Sequence, residues 1–250
     1  MKLYLLEIKY EFLKALRLPA YSLPTLLFPV FFYFFFGVMF GARETGTVKM
    51  ASYLIATYGV FGVIGAALFG FGVSVAIERG QGWVEVKRTT PMPMAAYFVS
   101  KLAMAMLFSA IIVLLLFAVG IIFGGVHLSF GTALALFGVL MAGSITFCAL
   151  GLALGFLTGP NSAAPIVNLI YLPTAFVSGL WVPIAFLPES IQKIALFLPQ
   201  YHFSQLALGV IGAAQEGSVV IHVGALVLAT LLFGAVAWIG YRRDEGKLYG

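Results

Sequence analysis

Six apolar stretches separated by short polar breaks run the length of the chain, over residues 21–41, 50–77, 96–124, 130–157, 163–180 and 218–241. A helix needs roughly 20 apolar residues to cross the hydrocarbon of a bilayer, and each stretch meets or approaches that length. From 102 to 188 there is no formally charged side chain, an interval that holds three crossings. The pattern predicts an all-α membrane protein of six transmembrane helices, forming one transmembrane domain over 1–250 with no separate soluble domain.

Two segments have the wrong pattern for crossing. In 3–18, Leu5, Ile8, Phe12, Ala15 and Leu16 share one helical stripe while Glu7, Lys9, Glu11, Lys14 and Arg17 fall mostly elsewhere. That spacing predicts an interfacial amphipathic helix lying in the membrane surface, an elbow ended by Pro19 before the first crossing. In 181–201, apolar pieces of eight to twelve residues are cut by Pro183, Pro188 and Pro199, with an amphipathic patch over 190–198. Pieces this short predict extracellular re-entrant helices that dip into the membrane and return, between the fifth and sixth spans.

The first span is crowded with aromatics, among them Phe28, Phe31, Phe32, Tyr33, Phe34, Phe35, Phe36 and Phe40, and holds Pro24 and Pro29. These rings face every direction around a helix, so lipid contact and packing stand beside an aromatic-lined path as readings. The second span carries Gly59, Gly62, Gly65, Gly70 and Gly72, whose spacing lets helices approach closely. Asn168 in the fifth span either bridges helices by a hydrogen bond or contacts a transported molecule. The candidate path comprises Phe28, Phe32, Tyr58, Asn168, Phe176 and Ser178.

Composition sharpens the class. Charged residues are 9% and apolar ones 62% of the 250, against about a quarter charged in a soluble domain. The net charge of +5 does not imply nucleic acid, because no basic groove with interleaved aromatics is present. It reflects Lys and Arg in loops on one side: residues 2, 9, 14, 17, 79, 87, 88, 101, 242, 243 and 247 against 43, 49 and 193. The positive-inside bias then places both termini and the 78–101 region in the cytoplasm. Cys148, the single cysteine, excludes an internal disulfide and lies in an apolar span as a small buried hydrophobe.

Catalytic and energy-coupling chemistry is missing from the sequence. There is no phosphate-binding loop of the form G-x-x-x-x-G-K-[ST], His127, His202 and His222 are scattered without a zinc pattern, and no pair of carboxylates lies within a span. An intramembrane enzyme lacks its nucleophile or metal, and a proton-coupled carrier lacks its relay. Attention falls on the charged island 78–93, which interrupts two long apolar runs. Gly80, Gly82 and Pro91 bracket helix formers, Trp83 and Val86 offer an apolar edge, and Glu85 and Arg88 stand three residues apart, a spacing that allows pairing on a helix surface. A short helix docking on a partner and an ordinary solvated loop both fit these residues.

The island and its surroundings resemble a known family. Glu78-Arg79, Gly82-Trp83, Glu85, Arg88 and Pro91-Met92-Pro93, followed by Tyr97 and Lys101, look like the cytoplasmic loop of ABC-2 type permeases, nearest the drug and antibiotic exporter branch similar to daunorubicin-resistance permeases. Pro173, Phe176, Ser178-Gly179, Pro183, Leu187-Pro188, Ile194 and Leu198-Pro199 resemble that family's fifth helix and re-entrant hairpin. Gly80 stands where many members carry a second acidic residue, and Lys87-Arg88 where many carry apolar ones.

The resemblance implies a dimer, most simply a homodimer, carrying two copies of a separate ABC ATPase on its cytoplasmic face. ATP and magnesium would be bound by that ATPase, so this chain is expected to be no enzyme and to hold no cofactor or metal. Glu78, Arg79, Gly82, Trp83, Glu85, Arg88 and Pro91 would form the coupling region seated in the ATPase, with the interfacial helix and its Glu7, Glu11, Lys14 and Arg17 beside it. The expected function is the permease subunit of an ATP-binding cassette exporter in the cell membrane, moving a hydrophobic or lipid-linked molecule outward. The competing expectation is a stand-alone secondary carrier or channel.

Overall fold

The computed structural model describes residues 2–39, 41, 43–45, 48–214 and 217–249; the side chains of 44, 45 and 245–249 lie outside the description. Phe40 and the side chain of Lys247, named above, and the side chains of Glu44 and Glu245 in the polar segments after the first and last spans therefore fall outside the described residues.

Helix α1 (Lys2–Leu16) ends before Pro19, which begins α2 (Pro19–Phe32). Pro fits the first turn of a helix, where its missing N–H has no intrahelical partner. Beyond Pro24 and Pro29 the first span continues as a π-helical turn, Tyr33–Val38. A two-residue hairpin (Glu44–Thr45 with Val48–Lys49) leads into the second span. That span is continuous from α3 (Met50–Ala67) through a π turn (Leu68–Val73) to α4 (Ser74–Gly80). The island forms α5 (Trp83–Arg88), after which come α6 (Met94–Ile122), α7 (Phe130–Leu157) and α8 (Ala163–Val177). A single 3-10 turn (Ile184–Phe186), α9 (Glu189–Ala195), α10 (Pro199–Val210) and α11 (Val219–Tyr249) complete the chain.

Five helices among the described residues are long and apolar enough to cross a membrane, and the fifth predicted span is shorter. Helix α8 has 15 residues, about 22 Å at 1.5 Å per residue, less than a bilayer core. The re-entrant expectation over 181–201 is resolved into the 3-10 turn, α9 and the start of α10.

The second span is the centre of the bundle. In its most apolar 18-residue stretch 78% of the residues are buried, against 22% in the first span and 11% in the last, and it packs against α2, α6, α7 and α10. A helix apolar on every side is expected to be enclosed by others. Its glycines are where the neighbours come closest: a Cβ on Gly72 would stand 2.6 Å from the Gly151 carbonyl oxygen, and one on Gly62 2.6 Å from Ile112. The packing role read from their spacing holds, and Cys148 is buried as expected.

Helix α1 turns part of its predicted apolar stripe and its carboxylates toward the protein together: Ala15 is 8% and Glu11 6% exposed and Phe12 packs on Phe108, while Leu5, Leu6 and Tyr10 face outward at 50% exposure or more. Periodicity defines the two faces but not which meets protein; α1 packs along α6, whose Lys101 supplies the counter-charge that lets a carboxylate turn inward.

Two of the histidines that are distant in sequence come together in the fold. His202 of α10 and His222 of α11 meet Nδ1 to Nδ1 at 2.9 Å, and His202 Nε2 lies 3.0 Å from the Leu196 carbonyl. Burial holds His202 below the usual histidine value of 6.5, opposed by the Leu196 hydrogen bond and assisted by the neighbouring His222. A histidine depressed in the fold binds its proton more readily when unfolded. Its contribution is therefore complete above about pH 6.5 and is lost as pH falls through the folded value. Thermal melts in lipid nanodiscs should show wild type losing stability between about pH 7 and pH 5 more steeply than His202→Gln. Equal slopes would contradict this.

Candidate functional site

The island joins α4 to α5 through Gly82, whose φ of 77° lies in the left-handed region that glycine adopts without a Cβ penalty. The turn divides the predicted coupling residues into two groups, one facing the bundle and one facing out.

Glu78 and Arg79 face inward. Glu78 Oε1 accepts a hydrogen bond from Lys101 Nζ at 2.8 Å and pairs with Lys14, while Oε2 accepts from the Tyr97 hydroxyl at 2.7 Å. Lys101 also donates to Glu11 Oε1 at 2.5 Å and Ser74 Oγ at 3.1 Å. An ammonium group has three N–H donors, and Lys101, at 0% exposure, has a partner for each. Two carboxylates and two ammonium groups thus close a neutral cluster joining α1, α4 and α6.

Glu11 of α1 and Glu78 at the island end of the second span thus share one cluster, each matched by lysine. Burial works against the charge of Lys14, but its hydrogen bond to Glu78 and the fields of Glu11, Glu78 and Glu7 prevail and hold its pKa above the usual 10.5.

Arg79 makes a second tie. Its guanidinium grips Asp244 of α11 through Nε at 3.1 Å and Nη2 at 2.6 Å, donates from Nη1 to the Gly155 carbonyl of α7 at 2.6 Å, and lies 4.9 Å from the centre of the Phe156 ring. A bidentate arginine–carboxylate pair fixes orientation as well as distance. Lys87 pairs with Glu7 of α1, tying α5 to the first helix.

The outer group is Trp83, 56% exposed, Val86, 53% exposed, and the exposed Pro91, while Val84 turns inward at 2%. The predicted Glu85–Arg88 pair is not made. Arg88 lies over the Tyr241 ring at 5.4 Å, and neither its guanidinium nitrogens nor Glu85 Oε2 has a hydrogen-bond partner among the described residues. Three-residue spacing permits a pair, but a face offered by α11 draws Arg88 away. Arg17 is exposed at the end of α1.

A cavity of about 540 Å³ opens from the cluster into the bundle between α1, α2, α3 and α8. Glu11, Lys14 and Ser74 form one end; Phe28, Phe61, Phe69 and Tyr171 provide aromatic walls, and Asn168 a polar point on α8. Of the predicted path, Phe28 and Asn168 line this cavity. Phe32 and Phe176 pack instead on Trp181, at 6.2 and 6.4 Å between ring centres. Ser178 is buried at 1%, and Tyr58, also 1% exposed, packs edge-on to Phe61 in the core.

Sequence reasoning missed Lys101 as the hub, Asp244 as the partner of Arg79, and Phe61, Phe69 and Tyr171 as aromatic wall. Lys101 carried a usable signal: it is a lone cation inside an otherwise apolar helix, which needs a counter-charge wherever it is buried. Among the described residues no group of three or more His, Cys, Asp or Glu could hold a metal ion.

A multi-pass helical body enclosing an apolar cavity, with a short polar helix projecting from its central span, defines a membrane transport permease. The chain belongs to the ABC-2 type transporter family, whose model matches residues 3–211, and so is a membrane permease of an ABC transporter. It is similar to the Bacillus subtilis (strain 168) protein named "Putative transport permease YvfS", with 27% identity over 225 residues that cover 89% of this chain and 91% of the relative.

Proposed function

We propose that this permease is the membrane half of an exporter driven by ATP hydrolysis in two copies of a separate ABC ATPase, working as a homodimer in the cell membrane with both termini in the cytoplasm. ATP and magnesium bind in the ATPase, and the cargo is a hydrophobic or lipid-linked molecule. The observation that carries this reading is that the cavity shares residues with the cluster that anchors the island: Glu11, Lys14 and Ser74 line the cavity and also belong to the ionic cluster that holds Glu78.

The mechanism follows from that sharing. The ATPase seats on Trp83, Val86 and Pro91, the outward edge of the island. Closure of the ATPase pair on ATP displaces α5, and Glu78 and Arg79 transmit the displacement to α1, α6, α7 and α11 through the charged contacts described above. Because α1 and α4 line one end of the cavity, its shape at the island end changes with the position of the island. Cargo loaded from that end is released outward when the ATP-bound state favours the open far side; only a difference in binding between the two states can drive that shift. The largely apolar walls, with a single asparagine, favour an apolar body over an ion.

The buried Glu11 and Glu78 give a stand-alone proton-coupled carrier its one supporting observation, but each is matched by a lysine at the end of the bundle. Reconstitution separates the two. With its candidate ABC ATPase, vesicles should accumulate a hydrophobic dye only when supplied with ATP. Accumulation by the permease alone on an imposed proton gradient would overturn the exporter reading.

A further inference from the structure

Beyond the cavity, at the end of the second span away from the island, four polar atoms are buried without a hydrogen-bond partner among the described residues: Thr57 Oγ1, Ser178 Oγ, Trp181 Nε1 and Gln200 Oε1. Thr57, Ser178 and Gln200 are each at most 3% exposed. Contacts bring their elements together. Gln200 donates through Nε2 to Thr174 Oγ1 at 2.9 Å, and Thr174 lies one helical turn before Ser178. The Tyr53 hydroxyl is hydrogen-bonded to the Ile184 backbone, and Thr57 is one turn from Phe61, whose ring meets Trp181 edge-on at 5.6 Å.

Leaving such atoms unmatched costs about 1–3 kcal/mol each, so four in one part of the fold call for polar partners that the described residues do not supply. Their chemistry describes an occupant. Two hydroxyls both donate and accept, the amide oxygen accepts and the indole N–H donates, whereas none of the four side chains is charged. A charged group there would meet no counter-ion from them, at a far higher cost than a neutral one. Phe61, which lines the cavity, meets Trp181 of this region.

We infer that these residues form a second station on the transport route, which binds an uncharged, multiply hydrogen-bonding group of the cargo, such as the hydroxyls of a sugar, while the aromatic cavity holds an apolar body. The inference rests on the reading of the chain as a permease for hydrophobic cargo and narrows that cargo to neutral-headed amphiphiles.

The test needs neither ATP nor the ATPase, so its outcome is separable from that of the exporter reading. Trp83→Phe and Trp238→Phe leave Trp181 as the only tryptophan of the three, a reporter within the station. This reporter protein, in lipid nanodiscs, is titrated with octyl glucoside below its micelle concentration and with 1-octanol. Saturable quenching by the glucoside at about tenfold lower concentration than by octanol is expected, and Thr57→Val with Ser178→Ala should abolish that preference while leaving the octanol titration in place.

No preference in the reporter protein, or no response to either probe, overturns the station. So does an undiminished preference in the double variant, which would leave ordered water as the sole occupant. If the double variant does not fold, Ser178→Ala alone is compared in the same way.

Discussion

Lys101→Met should yield a protein that no longer holds α1 against the bundle. The substitution fits the volume of the site but leaves Glu11 and Glu78 buried without the cation that both contact, at 2.5 and 2.8 Å. Removing one partner of a buried ionic group costs about 3–5 kcal/mol, because the remaining charges keep their desolvation penalty and lose their compensation. Lys14 cannot take over: its side chain is 58% exposed, and a solvated lysine is a weak substitute for an enclosed one. Detergent-solubilised Lys101→Met should aggregate at clearly lower temperature than wild type, read as the fraction that remains monodisperse after heating.

The same cluster predicts a rescue. Adding Glu11→Gln and Glu78→Gln to Lys101→Met removes the charges together and should recover most of the lost stability, since a neutral set need not contain a counter-ion. If the triple variant is as unstable as the single one, charge compensation is not what the cluster provides.

A second large effect is expected on the outer side of the island. Trp83→Ala with Val86→Asp alters two residues more than half exposed that have no part in the ion pairs, so folding and thermal stability should be preserved. Coupling should not be: truncating a tryptophan at the centre of an interface commonly costs 2 kcal/mol or more, about 30-fold in affinity, and the aspartate adds a charge to an apolar edge. ATP-dependent transport should fall by at least that factor. Arg79→Ala should behave differently, because it releases Asp244 and the Gly155 carbonyl inside the protein and is expected to lower stability along with transport.

How far the sequence spoke depends on whether a feature is local. The fourth span was predicted over 130–157 and is Phe130–Leu157, because a charge-free apolar run bounded by Ser129 and a Thr-Gly-Pro turn admits one reading. The island, the breaks between helices and the packing glycines of the second span were legible for the same reason. Partners distant along the chain were not: Lys101 and Glu11 are 90 residues apart, Arg79 and Asp244 165. Where a local rule was applied to Glu85 and Arg88, a distant ring on Tyr241 competed and won. Helix α1 shows the same limit, since its stripes were visible but the charge that would draw one of them inward lay on α6. Of the cavity wall only Phe28 and Asn168 were read from the sequence, because Phe61 and Tyr171 join them from other parts of the chain.

The island has two sides, one locked into the bundle and one exposed, and the proposed exporter needs the exposed one to seat an ATPase. The direct measurement is co-elution: the tagged permease, co-expressed with its candidate ABC ATPase, is purified as wild type and as Trp83→Ala with Val86→Asp, and the ATPase retained per permease is compared. Near-stoichiometric ATPase on the wild type and little on an equally stable variant is the predicted result. Equal retention on both, or none on the wild type, would contradict it.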